Sequence, residues 1–374
     1  MVDLKGQYLK IKDEINAAIQ EVLDSTAFIN GPQVGIFEKE LSDYLGVRHV
    51  IGCGNGTDAL QIALMALKLE PGDEVITTPF SFISTIEVIR LLKLIPVLAD
   101  IRKDTFNIDA SQIEKCITNK TRAIIPVHLF GQNAEMSRIM EIAQRNGLHV
   151  IEDAAQSLGS SYLFSDRDHV RSGTMGIIGC TSFFPSKNLG GYGDGGALFT
   201  KDDKLEATIR SVINHGMKMK YYYREVGVNS RLDTLQAAVL RVKLRYLDRY
   251  SEARCNAASF YDKAFASYTP IITPFRAAYS THIFHQYTIR LNGIDRDGLM
   301  KYLHEKGIPS MIYYPVPLHL QEAYRDLNYH SGDLPVSEEL ARTVLSLPMH
   351  TELTDQHLNY ITDHVIKFIK TYQS

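Results

Sequence analysis

The sequence has no marked excess of charge of either sign: 40 Lys and Arg stand against 43 Asp and Glu, a formal net charge of -3 over 374 residues. Such a balance gives no reason to expect nucleic acid or an anionic membrane as partner, and it leaves any anionic substrate to be met by local basic residues. Cysteine is scarce. Cys53, Cys116, Cys180 and Cys255 lie far apart with no metal-ligand spacing, so they read as reduced thiols rather than as a disulfide framework or a zinc site. The 13 histidines include no HExxH or other paired spacing, which argues further against a metal. No apolar run reaches the roughly twenty residues needed to span a bilayer. The charged opening MVDLKGQYLKIKDEI has no apolar signal core, so a cytoplasmic enzyme is expected. Internal repeats, low-complexity tracts and flexible linkers are lacking too.

What is present is an alternation of helical and strand patterns. Ile11, Ile15, Ala18, Ile19, Val22 and Leu23 form the stripe of a first helix, and Val34, Phe37 and Leu41 resume the pattern after Asn30, Gly31 and Pro32. Short β-branched runs follow at His49 to Cys53, Glu74 to Thr78, Ile95 to Leu98, Ala123 to Leu129 and His149 to Asp153, separated by amphipathic helices, and the rhythm continues through CTSFF and ALFT to about residue 200. This predicts an α/β fold with a mostly parallel sheet covered on both faces. A helical stretch from Leu232 to Tyr250 bridges to a region of different texture that includes the strand Gln286 to Leu291. The expected organisation is therefore a large domain over residues 1–245 and a smaller C-terminal α+β domain over 246–374.

Three segments carry chemistry. In SFFPSKNLGGYGDGGA, Ser182 to Ala197, one lysine, Lys187, stands between an apolar strand and a run of glycines. A lysine packed beside Phe183, Phe184 and Tyr192 in a partly dry pocket can lose its proton and attack a carbonyl; the alternative is an incidental lysine on a surface loop. The strand HVIED ends on Asp153, followed by AAQS with Gln156. Sites in open α/β sheets lie at the carboxyl ends of strands, where Asp153 can pair with a cationic ring nitrogen or, more simply, cap the next helix. In IGCGNGTDALQIALMAL, a strand runs through Gly54, Asn55, Gly56 and Thr57 into a helix, and the free N–H groups of such a helix start hold an anion. GNGTDAL has neither the ending of a Walker loop nor the spacing of GxGxxG, which argues against a nucleoside triphosphate or a dinucleotide.

Together these segments resemble fold type I pyridoxal-phosphate enzymes (aspartate aminotransferase-like), and among them the sugar-nucleotide aminotransferases of the DegT/StrS type. The likeness runs the whole length, through the opening DLKGQ, GNGTDAL, TPFSFIST, VIEDAAQS, the lysine segment, GVNSRLDTLQAA and YYPVPLH. It implies pyridoxal 5'-phosphate as cofactor, with Lys187 linked to it as a Schiff base, Asp153 on its ring nitrogen and Gln156 near its phenolic oxygen. Gly56, Thr57 and Ser182 would hold the phosphate, Phe82 would stack on the open face, and Asn229 would reach the phosphate from the neighbouring subunit of a homodimer with shared sites. L-Glutamate is the implied amino donor. Relatives that replace the lysine with histidine dehydrate sugars, so retention of Lys187 favours transamination.

The motif details look closest to enzymes that aminate UDP-2-acetamido-2-deoxy-3-oxo-D-glucuronate for surface polysaccharide, with Arg231, Tyr313, Tyr314 and His319 as substrate contacts. Those enzymes carry a histidine where this chain has Tyr313. A dTDP-3-oxo-6-deoxyhexose or 4-keto acceptor is the alternative, and a sensor binding the cofactor or a sugar nucleotide is a non-enzymatic one. His128 reads as a packing residue, Tyr221 to Tyr223 as an interface strip or a wall over the site with packing the simplest assumption, and His215 is left open as a substrate contact.

Overall fold

The computed structural model describes residues 1–165 and 168–373. Helices α1 (Leu4–Lys10), α2 (Lys12–Ser25) and α3 (Pro32–Leu45) precede the first strand. Ile15 and Val22, seven positions apart, share the buried face of α2; Leu23, expected in the same stripe, is 45% exposed because one further residue turns it about 100° around the helix. Pro32 opens α3, where no backbone N–H is needed, and Gly46 closes it in the left-handed conformation.

The central region then runs β1 (His49–Cys53), α4 (Gly56–Ala66), β2 (Glu74–Thr77), α5 (Ser84–Leu91), β3 (Ile95–Leu98), α6 (Ala110–Cys116), β4 (Thr121–Ile125), α7 (Met136–Asn146), β5 (His149–Asp153), β6 (Ser161–Ser165), β7 (Asp168–Arg171), β8 (Ile178–Ser182), β9 (Gly196–Thr200) and α8 (Asp203–Val212). Seven of these strands form one sheet in the order β1-β9-β8-β5-β4-β2-β3, in which β9 is antiparallel to both neighbours and the other pairs are parallel. Side chains alternate between two cores. Ile51, Val75, Ile125 and Ile151 pack with α4, α5 and α8, whereas Ile76, Ile124 and Val150 pack with α6 and α7. Val50 and Phe199 meet α3 on that second face. Both faces being covered explains why the strands read as near-continuous apolar runs. The run expected from Ala123 to Leu129 stops early: β4 ends at Ile125, Pro126 accepts a hydrogen bond from Asp153 N at 2.9 Å, and the chain then turns. β8 likewise ends at Ser182, leaving Phe183 and Phe184 outside the strand.

A hairpin of β10 (Met217–Met219) and β11 (Tyr222–Tyr223) leads to α9 (Thr234–Leu244) and α10 (Leu247–Phe265). The single helical stretch expected from Leu232 to Tyr250 is thus two helices, parted at Arg245 and Tyr246, whose side chains both bond Glu14. The hairpin corrects the assumption of packing at Tyr221 to Tyr223 within the chain, since those tyrosines are 74%, 64% and 60% exposed, and leaves the reading as an interface strip open. Beyond α10, β12 (Ile271–Ile272), β13 (Tyr287–Leu291), α11 (Arg296–Glu305), α12 (Pro335–Thr343), β14 (Val344–Leu347) and α13 (Asp355–Gln373) enclose a separate core of Tyr261, Phe265, Ile289, Leu299, Leu345 and Val365. β12, β13 and β14 make an antiparallel three-stranded sheet. No helix among the described residues is long and apolar enough to cross a membrane.

Candidate active site

A cavity of about 590 Å³ opens where the carboxyl ends of β5 and β8 meet the start of α4. The sequence builds this junction by close approach. A Cβ on Gly56 would lie 2.7 Å from the Ser182 Cβ, so glycine is what lets the helix start reach the end of β8. Asn55 caps α4: its Oδ1 accepts from Asp58 N at 2.8 Å and its carbonyl from Ala59 N at 3.1 Å. The N–H groups of Gly56 and Thr57, which make no hydrogen bond among the described residues, remain for an anion. The Asp58 carboxylate, which would oppose one, is engaged by the Ser230 hydroxyl at 2.6 Å.

Asp153 sits at the floor, buried, with Oδ2 accepting from Thr85 Oγ1 at 3.0 Å and Oδ1 from Ala155 N at 3.1 Å. Burial pushes its carboxyl pKa up, and the Ala155 amide, Lys187 and Thr85 pull against that shift. A cationic group in the cavity would hold it ionised. Lys187 lines the same cavity; burial of its amine lowers its pKa to about 8, partly opposed by Asp153. Gln156 spans the far wall, its Oε1 accepting from Phe130 N at 2.9 Å and its Nε2 donating to the Tyr314 hydroxyl at 3.1 Å. Phe82 and Phe184, both more than half exposed, stand at the rim.

Of the residues singled out from sequence, Gly56, Thr57, Phe82, Asp153, Gln156, Ser182, Lys187, Tyr313 and Tyr314 converge on this one cavity. Asn229 and Arg231 do not line it. They bond each other instead, Arg231 Nε and Nη2 reaching Asn229 Oδ1 at 3.0 and 2.6 Å. His319 also stands apart, buried behind the wall with Nε2 3.2 Å from Glu338 Oε1. His215 is exposed and away from the cavity lining. His128 is a satisfied packing residue: Nδ1 accepts from Ala134 N, which places the ring proton on Nε2, 2.8 Å from Glu152. Sequence reasoning missed Thr85 and His285. Thr85 lies inside TPFSFIST and was in reach of the motif, but nothing local marks His285. Its Nδ1 donates to Asn188 Oδ1 at 3.1 Å, beside Lys187, and burial with the nearby Lys187 holds the ring neutral, its pKa well below the usual value.

A free helix-start pair of N–H groups, a buried carboxylate that calls for a cation, and an amine of lowered pKa make a donor set that fits pyridoxal phosphate. A family model described as the DegT/DnrJ/EryC1/StrS aminotransferase family matches residues 9–366. The chain belongs to that family. It is 45% identical over 374 residues to the pleiotropic regulatory protein of Geobacillus stearothermophilus, covering 100% of this chain and 99% of the relative. It is 44% identical over 360 residues to UDP-2-acetamido-2-deoxy-3-oxo-D-glucuronate aminotransferase of Pseudomonas aeruginosa, covering 96% and 97%. Among solved structures, S. venezuelae DesV in complex with a ketimine intermediate matches with a TM-score of 0.94 at 38% identity, over 99% of this chain and 98% of that one. NtdA from Bacillus subtilis with bound cofactor PMP matches with a TM-score of 0.89 at 33% identity, over 96% and 82%. Membership of this aminotransferase family bears out the expected fold class, the transaminase reaction and the pyridoxal 5'-phosphate cofactor, and the protein is a sugar-nucleotide aminotransferase.

Proposed function

We propose that this family member transaminates a nucleotide-linked 3-keto sugar with L-glutamate as donor, and that the acceptor is UDP-2-acetamido-2-deoxy-3-oxo-D-glucuronate, on a route to surface polysaccharide such as O-antigen. The observation that carries the chemistry is the meeting of Lys187, with its pKa lowered to about 8, and the buried Asp153 in one cavity. The choice of acceptor is supported by the 44% identity to the Pseudomonas enzyme and by Arg231, a half-buried guanidinium with no carboxylate partner among the described residues.

Bound pyridoxal phosphate supplies the electron sink that lets a proton leave the donor's α-carbon. The Gly56 and Thr57 N–H groups, aided by the α4 dipole and the Ser182 hydroxyl, would hold its phosphate. Asp153 would pair with the cofactor's ring nitrogen and keep it protonated, and Phe82, at the rim of the same cavity, would shield the bound ring. Lys187 Nζ, part of which is neutral near pH 7, would take the donor's α-proton and serve as the general acid and base of the site. Donor and acceptor use the pocket in turn, which gives ping-pong kinetics. Asn229 and Arg231 are read as residues given to the partner's site in a homodimer; their absence from the cavity of their own chain supports that. The chain is read as a cytoplasmic enzyme of two domains, 1–245 and 246–374, parted at the break between α9 and α10.

The test is the aminated enzyme challenged with 3-keto and 4-keto UDP and dTDP sugars, with products identified by mass. An unpaired uronate in a closed site is costly, and one charged hydrogen-bonded contact is worth roughly 1.5 to 3 kcal/mol, so Arg231→Ala raises KM for a uronate acceptor about ten- to a hundred-fold more than for the matching neutral sugar. Equal losses would assign Arg231 to phosphate or to the interface. Faster turnover of a dTDP-6-deoxy sugar by the unaltered enzyme would overturn the uronate assignment.

A further inference from the structure

Lys243, on α9, is 1% exposed, yet no carboxylate pairs with it among the described residues. Its Nζ donates to the Gly190 carbonyl at 2.5 Å and lies 5.4 Å from the centroid of the Tyr192 ring. The charge that bears on it is the Arg254 guanidinium, also buried, and burial together with that charge lowers its pKa to about 8. An ammonium in such a place destabilises the fold relative to an apolar side chain of the same volume. Seven positions earlier and on the same face of α9, Gln236 Oε1 accepts from Tyr192 N at 2.7 Å. Gln236 is so close that a Cβ on Gly191 would come within 2.7 Å of its Oε1 and one on Gly193 within 2.8 Å of its Nε2. Both contacts fall on the turn that follows Lys187. That segment is folded back on itself, with Lys187 N on Phe184 O and Gly191 N on Phe183 O, each at 2.8 Å. Its other side is tied through Asn188 to His285 and the Ile283 carbonyl.

We propose that Lys243 and Gln236 are positioning residues, which by gripping the Gly190 carbonyl and the Tyr192 amide hold the segment from Lys187 to Gly193 against α9 and so fix where the Lys187 amine sits in the cavity. The proposal rests on Lys187 being the reactive amine. Its physical content is that burial of Lys187 depends on this grip. The charged and titratable groups around Lys187 are Asp153 from β5, His285 from the segment before β13, and Asp3, Arg254 and His350, which line a small pocket with it; none is bonded to Lys243 or Gln236, and of these groups Arg254 alone bears on the charge of Lys243. Loosening the turn through Gln236→Leu changes no charge and admits water, while Lys243→Met removes only a charge that the Lys187 shift does not include, so in both the Lys187 pKa rises toward its ordinary 10.5.

The rate at which the cofactor-free protein captures added pyridoxal phosphate, followed by visible absorbance across pH, reads the neutral fraction of the amine. In Lys243→Met and in Gln236→Leu the midpoint of that profile moves up by about one pH unit, a roughly tenfold slower capture at pH 7. Lys243→Met melts no lower than the parent, because it fills the same volume without a lone charge, and Lys243→Arg, which keeps a donor, stays near the parental midpoint. Should Lys243→Met fold poorly, Gln236→Leu, at a half-buried position, carries the test alone. An unchanged midpoint in the folded variants, with or without a fall in melting temperature, overturns the proposal and leaves these residues a structural role. Lys187→Ala is the control: capture that survives in it would instead refute Lys187 as the reactive amine.

Discussion

In the proposed mechanism Lys187 and Asp153 divide the chemistry between an amine whose pKa burial lowers to about 8 and a carboxylate whose pKa burial raises. Lys187→Ala is expected to abolish turnover and the absorbance of lysine-linked cofactor while circular dichroism stays unchanged. Asp153→Asn retains cofactor yet loses at least about a hundredfold in kcat, some 2.7 kcal/mol, because an amide cannot keep the ring nitrogen charged. Turnover within a few-fold of the parent would remove Asp153 from that role. The buried lysines also mark a pH window. Lys187 and Lys243 titrate near 8 in the fold against 10.5 when unfolded, so between those values the unfolded chain binds more protons and their contribution to stability rises with pH. Lys243→Met should flatten that rise in urea midpoints measured between about pH 8 and 10. A lysine before a glycine run and an acid ending an apolar strand could be seen in sequence because each strains a local rule. His285 could not, since its partner Asn188 is 97 positions away and only the fold joins them.

Strands buried on both faces were legible because a run of β-branched residues has few other uses, and β1, β3 and β5 fall where HVIGC, IPVL and HVIED place them. Ends were harder to read. Pro126 and the Phe183–Phe184 pair continue the apolar texture past β4 and β8, but their backbones turn to make the site, a choice set by tertiary contacts. The alternation along β5 also separates two acids that the sequence leaves side by side. Asp153 faces the cavity, while Glu152, fully buried, accepts from the amides of Gly173, Met175 and Gly176 and pairs with His128. Glu152 thereby joins β5 to the turn that launches β8, the strand that carries Ser182. Glu152→Ala strands several buried donors and should cost about 3 to 5 kcal/mol of unfolding free energy by urea titration, with Glu152→Gln losing less. A loss under about 1 kcal/mol would mean that water replaces the carboxylate.

At the scale of the whole molecule, the cavity of one chain lacks Asn229 and Arg231, which project from the connection between the β10–β11 hairpin and α9. Asn229 is exposed, and so are Tyr221, Tyr222 and Tyr223 on the hairpin before it. An exposed asparagine bonded to a half-buried arginine, beside an exposed aromatic hairpin, is what a two-fold dimer with shared sites would use, since an isologous contact places the same surface of each chain against the other. In a dimer of one Lys187→Ala chain and one Asn229→Asp chain, a site built across the interface combines both lesions in one cavity and leaves the other cavity with an intact lysine and an intact asparagine. Asn229→Asp is chosen because a carboxylate next to the cofactor phosphate repels it. With random pairing, half of the dimers are mixed and each has one working site, so co-expression restores about a quarter of the parental activity from two variants that are each nearly inactive. If Asn229 instead serves its own chain, each cavity of the mixed dimer carries one lesion and no activity returns. Purifying the heterodimer by two different tags and assaying it directly separates these outcomes, and a silent heterodimer that still binds cofactor would rule out the shared site.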